Sequence, residues 1–199
     1  GYGVRTQQTW TTGTTGTLTF HDCVGGIGSN SSGLVFSSAL STSGNIMAIN
    51  NIQTGVATTN VNAIGFFTSA NVTSTNGSIA ITGSAANATA GSGPGTGVEI
   101  NGGTLSVTGI NTITIIGTGA SVGVASRGFY LSGGTITSSS GLISITGSVS
   151  GGSGSYRGVL LSSGNITSTS GPITISGTSG SSGASSHGVS ITTPITTGT

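Results

Sequence analysis

Short alternating runs of apolar and polar residues recur along this chain, four or five residues at a time, each closed by glycine. Gly171-Pro172-Ile173-Thr174-Ile175-Ser176-Gly177 is a clear example. Period-two alternation rich in Ile, Val and Thr predicts a strand with one buried face. No window shows the 3.6-residue period of a helix, and Gly, Ser and Thr all disfavour one.

The runs come in threes, and the threes repeat. Residues 158–187 and 128–157 are both 30-residue units and align without a gap. Residues 97–127 form a 31-residue version, and 65–96 and 33–64 form 32-residue versions. Residues 3–32 make a weaker 30-residue version, and Gly188 opens a seventh unit that reaches Thr199. In each unit the first run follows the opening Gly, the second is of the Gly-Asn-Ile-Thr-Ser type, and the third is Gly-x-Ile-x-Ile-x-Gly.

Alignment of the units gives columns that are apolar throughout. The first-run column is Val4, Leu34, Phe66, Val98, Phe129, Val159 and Val189; the second-run column is Trp10, Leu40, Val72, Leu105, Ile136, Ile166 and Ile195. The third run gives Leu18, Met47, Ile79, Ile113, Ile143, Ile173 and, beside it, Phe20, Ile49, Ile81, Ile115, Ile145, Ile175. Three strands in 30 residues cannot bury their own apolar side chains, but stacked copies can. The expectation is therefore an all-β, right-handed parallel β-solenoid of six to seven coils, with three short strands per coil. Residues 1–199 read as one solenoid domain, with 1–32 as an atypical first coil or junction, 33–187 as five repeats and 188–199 as a partial coil. Six coils at strand spacing give a rod on the order of 30 Å long. The Gly/Ser/Ala-rich stretches after the third run, such as Ser84–Thr96 and Thr178–His187, read as corner loops or flaps.

Composition narrows the function. Gly (39), Ser (35) and Thr (35) supply 109 of 199 residues, and only Arg5, Arg127, Arg157, Asp22 and Glu99 carry a formal charge. A net charge of +1 from scattered arginines argues against a nucleic-acid partner, which needs a basic cluster. Recurrent Ile, Val, Leu and Phe argue against a flexible linker or a disordered chain. Apolar runs of two to four residues are too short to insert in a membrane as helices. No basic start followed by an apolar stretch marks a signal peptide, as suits a mature or internal segment. Cys23 is the single cysteine, so no disulfide closes within the chain; it reads as a packed side chain or as a crosslink to another chain.

Catalytic and metal chemistry find little material. Glycoside hydrolysis generally takes two carboxylates a few ångströms apart, whereas Asp22 and Glu99 fall in different units and runs. Gly119-Ala120-Ser121-Val122-Gly123 fits a nucleophilic-serine pattern but lacks its strand-to-helix setting, and His21 and His187 sit at opposite ends. One Asp cannot supply a calcium β-roll, and two distant His with one Cys do not make a zinc site. A flat Thr array for ice is broken in the third run by Ala48, Asn50, Ala80 and Ile116. The chain reads as a non-enzyme without cofactor or metal. Five N-glycosylation sequons begin at Asn30, Asn71, Asn76, Asn87 and Asn165.

Two outward features are candidate contact surface. Between the inward positions of the first run lie Arg5, Val35, Phe67, Glu99, Tyr130, Leu160 and Ser190, of which Val35, Phe67, Tyr130 and Leu160 form an apolar stripe. Arg127, Arg157 and His187 close successive units and should stack one strand apart. Neither a charged nor a proline-blocked cap closes the last unit, so further chain or a second copy is expected to stack there.

The 20-residue stretch GVLLSSGNITSTSGPITISG (158–177) and its relatives across Gly65–Gly177 resemble the β-strand repeats of bacterial filamentous haemagglutinin and autotransporter passenger domains. The resemblance covers nearly the whole chain; the first unit departs from it at Trp10 and at Phe20-His21-Asp22-Cys23. It implies a secreted right-handed β-helix at the cell surface or outside the cell, used for adhesion, aggregation or fibre building. The expected partners are other copies of the chain, stacked axially or packed laterally, and a glycan or cell surface reached through corner loops and the apolar stripe.

Overall fold

Alternation becomes strand here because each run can bury its alternate, apolar side chains only by lying against the same run of the next unit. The computed structural model describes residues 2–13, 16–25, 31–53, 63–85, 94–122, 124–151, 154–180 and 182–198. Among them there is no helix. The strands, in chain order, are β1 (Tyr2–Thr6), β2 (Trp10–Thr12), β3 (Leu18–His21), β4 (Val24–Gly25), β5 (Ser31–Phe36) and β6 (Leu40–Thr42). Then come β7 (Ile46–Gln53), β8 (Ala63–Thr68), β9 (Val72–Ser74), β10 (Ile79–Ala85), β11 (Gly95–Val107) and β12 (Ile113–Gly119). The last are β13 (Arg127–Ser138), β14 (Ile143–Val149), β15 (Arg157–Leu161), β16 (Asn165–Ser168), β17 (Ile173–Ser179), β18 (His187–Ile191) and β19 (Ile195–Thr197).

Every pairing is parallel and joins equivalent runs of successive units. First runs pair in the order β1-β5-β8-β11-β13-β15-β18. Second runs follow β2-β6-β9, continue on the later halves of β11 and β13, and end on β16 and β19. Third runs form the other sheet, β3-β7-β10-β12-β14-β17, with β4 beside β7. The molecule is an all-β solenoid of stacked turns with parallel sheets.

The first- and second-run columns keep their expected register at every step, from Val4 opposite Leu34 to Ile166 opposite Ile195. Third-run columns are in register from Ile79–Ile113–Ile143–Ile173 onward. In β7 the expectation fails by one residue. Ile46, not Met47, pairs with Leu18 and Ile79, and Ala48, not Ile49, pairs with Phe20 and Ile81. A register shift between Ile81 and Gly83 absorbs the extra residue. Met47 therefore pairs with Ala80 in the row the sequence gave to Ala48. Three strands per turn also needs correction: in β11 and β13 the first and second runs merge into single strands of 13 and 12 residues. Left-handed glycines Gly103 (φ 67°) and Gly134 (φ 77°) bend them, and Gly164 (φ 91°) marks the same corner between β15 and β16.

The loop boundaries shift as well. Ser84 and Ala85 belong to β10, Thr96 to β11, Thr178 and Ser179 to β17, and His187 opens β18. Most of the rest of the first flap, 86–93, lies outside the described residues, as do Asn30 and Asn87 of the sequons and Gly123 of the serine pattern.

Between the sheets lies one continuous apolar core running from Phe20 and Leu34 through Phe66, Val98 and Phe129 to Ile166. A buried hydroxyl row, Thr42, Ser74, Ser138 and Ser168, interrupted only by Val107 in the middle turn, ties these second runs to the turns beside them. Ser74 Oγ donates to the Gly44 carbonyl at 2.6 Å and accepts from Gly77 N–H at 3.1 Å; Ser138 Oγ donates to the Gly141 carbonyl at 2.9 Å. These bonds let polar groups face the core without leaving turn amides and carbonyls unsatisfied.

At one edge the two sheets close backbone to backbone. Gly83, Gly117, Gly147 and Gly177 of the third run face Gly97, Gly128, Gly158 and Gly188 of the first run. A Cβ on Gly83, Gly117, Gly147 or Gly177 would overlap the carbonyl oxygen of its opposite number. The opening glycine of each unit is thus a close-approach residue. Beyond this pinch the third-run strands continue inward-facing, and Ala85, Ala120, Val149 and Tyr156 are buried there. Burial pushes the Tyr156 phenol above its ordinary pKa.

Candidate functional site

Four of the five charged residues lie on the outer face of the first-run strands, in two neighbouring ladders. One ladder is Tyr2, Ser32, Ile64, Thr96, Arg127, Arg157 and His187; the other is Arg5, Val35, Phe67, Glu99, Tyr130, Leu160 and Ser190. They share a face because Gly128 and Phe129, and their counterparts in other turns, are consecutive inward residues: the glycine enters the pinch and the apolar residue the core.

The apolar stripe is present but is not an open patch. Val35 is only 4% exposed and Leu160 only 9%, while Phe67 and Tyr130 are half-buried.

Arg127 and Arg157 are in register as the sequence requires, and His187 follows in the next turn, exposed, its Nδ1 3.0 Å from the Ser185 carbonyl. The Arg127 guanidinium lies 4.3 Å from the Tyr130 ring centroid. Burial lowers its pKa, opposed by the Tyr130 and Glu99 charges and assisted by Arg157. The Nε atoms of Arg127 and Arg157 are sealed from solvent and find no hydrogen-bond partner among the described residues. Glu99 does not form an ion pair with them; its Oε1 accepts from Asn101 Nδ2 at 3.2 Å and from Ser132 Oγ at 3.0 Å.

A groove of about 440 Å³ opens on the same face across β1, β5 and β8, lined by Tyr2, Arg5, Val35, Ile64, Phe67 and three serines, Ser32, Ser37 and Ser69. Arg5 Nε donates to Ser37 Oγ at 3.0 Å, and the guanidinium stands 5.1 Å from the Tyr2 ring centroid. Sequence reasoning found Arg5, Val35 and Phe67 as one column but not the groove. Tyr2, Ser32 and Ile64 belong to the neighbouring ladder, and their alignment beside Arg5, Val35 and Phe67 becomes visible only in the pairing register.

Elsewhere the expected candidates stand apart. His21 Nδ1 and Asp22 Oδ2 are 2.6 Å apart at the end of β3, with Asp22 at φ 51°. Glu99 lies on the other sheet, so the two carboxylates do not converge. Cys23 is buried, and burial, with the Asp22 charge behind it, raises its pKa. A sealed, protonated thiol suits packing and not a crosslink. Among the described residues no three His, Cys, Asp or Glu side chains gather as metal ligands, and no helix is long and apolar enough to cross a membrane. No protein-family model, curated protein or solved structure matches the chain.

Proposed function

We propose that the chain is part of a rod-like structural and adhesive protein at the cell surface or outside the cell, a right-handed β-helix of six to seven coils. On this reading it stacks end to end into a fibre or belongs to a giant surface protein of the filamentous haemagglutinin and autotransporter-passenger kind. The observation that carries the proposal is the unbroken stacking of equivalent strands turn upon turn around one continuous apolar core, a construction that lengthens by repetition. Right-handedness is favoured by the general rule for parallel crossover connections. Sparse charge and the absence of converging carboxylates favour a non-enzymatic role, with neither cofactor nor nucleic acid. Electron microscopy of the native material should show rods much longer than roughly 30 Å, the length of six strand spacings. Isolated short particles alone would overturn the fibre reading.

A second reading is an adhesin module that recognises a glycan or host surface. It is favoured by the clustering of four charges and two half-buried aromatics on one face of an otherwise Ser/Thr/Gly surface. Replacing Phe67 and Tyr130 with Ser should reduce cell attachment by the folded protein; unchanged attachment would remove the stripe from the argument.

A further inference from the structure

The geometry points to the groove across β1, β5 and β8 as a binding site for a carboxylate-bearing sugar, an assignment that rests on the glycan-binding reading above. Its volume, about 440 Å³, is that of a small-molecule site. Its lining is apolar at buried Val35 and half-buried Ile64 and Phe67, and polar at the hydroxyls of buried Ser32, half-buried Ser37 and exposed Ser69. A pyranose ring has the matching character, an apolar C–H face and a hydroxyl rim.

Arg5 supplies the charge selection. Its Nε–H is committed to Ser37 Oγ, which fixes the plane of the guanidinium against Tyr2. The four N–H donors of the two terminal Nη nitrogens are left as an end-on fork, the shape that accepts both oxygens of one carboxylate. No carboxylate among the described residues forms an ion pair with Arg5. The nearest acid in its own ladder, Glu99, is three strands away, on the order of 14 Å.

The test uses the whole chain and three probes measured by calorimetry: a glucuronate-terminated oligosaccharide, its methyl ester and the neutral glucose-terminated analogue. An acidic hexapeptide serves as the competing class. The glucuronate sugar should bind at least tenfold more tightly than the ester or the neutral sugar. Arg5→Gln should weaken it at least tenfold, and Phe67→Ser should weaken all three sugars together. Ile110→Ser, at an exposed position outside the groove and off that face, should leave binding unchanged. Thermal melts of each variant establish that it is folded. Binding that survives Arg5→Gln overturns the assignment. So does an ester bound as tightly as the acid, a folded protein that ignores every sugar, or a peptide that outcompetes the sugar. Microscopy and wild-type cell attachment, recorded on the same material, report the rod and adhesion readings separately, so the groove can fail while they stand.

Discussion

The strands from β12 onward and those before β10 build the same wall differently. Between β12, β14 and β17 seven consecutive residues pair without interruption, and Ile stands over Ile in both inward ladders. In the early turns β7 meets β10 through a register shift, Ala48 takes a place held by Ile later, and aromatics occupy the core. Rings of Trp10 and Phe20, Phe20 and Phe36, and Phe36 and Phe66 lie 6.1, 5.1 and 5.3 Å apart. The bulge falls between two units of the same 32-residue length, so unit length alone does not fix register, and large tilted rings fill an interior that no longer repeats. The groove and the His21–Asp22–Cys23 segment lie in this irregular part.

The comparison breaks most sharply at the glycine pinch, which holds the regular part together. Gly147→Val would place a side chain on the Gly158 carbonyl, and its backbone cannot yield without parting the sheets. We expect a loss above about 4 kcal/mol, seen as a missing cooperative transition in thermal circular dichroism. Gly16→Ala, in the irregular part with nothing within 4 Å of the added methyl, should change stability by less than about 0.5 kcal/mol.

Core truncation comes next. In urea titration Ile145→Ala should cost about 2–5 kcal/mol and Phe36→Ala about 3–5 kcal/mol, since both are fully buried. A much smaller cost at Phe36 would mean that the aromatic turns are loosely packed, and the view that large rings fill the irregular interior would fall. Ser74→Ala and Ser138→Ala should each cost about 1–3 kcal/mol, because each strands a turn carbonyl. Equal costs would show that this hydroxyl row works alike in both halves.

The smallest effect is alkaline. Burial raises the pKa of Cys23 in the early turns and of Tyr156 in the later ones, so in both cases the unfolded chain ionises first. Their stability is intact below the unfolded values, about 8.5 for a thiol and about 10 for a phenol, and declines as pH rises past them towards the folded values. Urea titrations from pH 8 to 11 should show Cys23→Ala flattening the first part of that decline and Tyr156→Phe the second.

Legibility in the sequence followed the same division. Residues 128–187 could be read almost completely, since two gapless units put Ile143 over Ile173 and Arg127 over Arg157 by counting alone. Counting failed at Met47, where a 32-residue unit hides one bulged residue and no local signal says on which side of it the extra residue sits. The candidate face was half legible: both its ladders were found in part, but Val35 and Leu160 proved covered, and the Arg5 groove was not seen.

Period-two patterning and a near-constant unit length sufficed to dictate parallel strands stacked into a solenoid, because a short half-apolar strand has no other way to bury its face. Which backbones meet at the glycine pinch, where Tyr156 is enclosed, and how Tyr2, Arg5 and Phe67 line one groove depend on how two sheets approach each other. That approach is set by packing between residues far apart in the chain, and a local pattern carries no record of it.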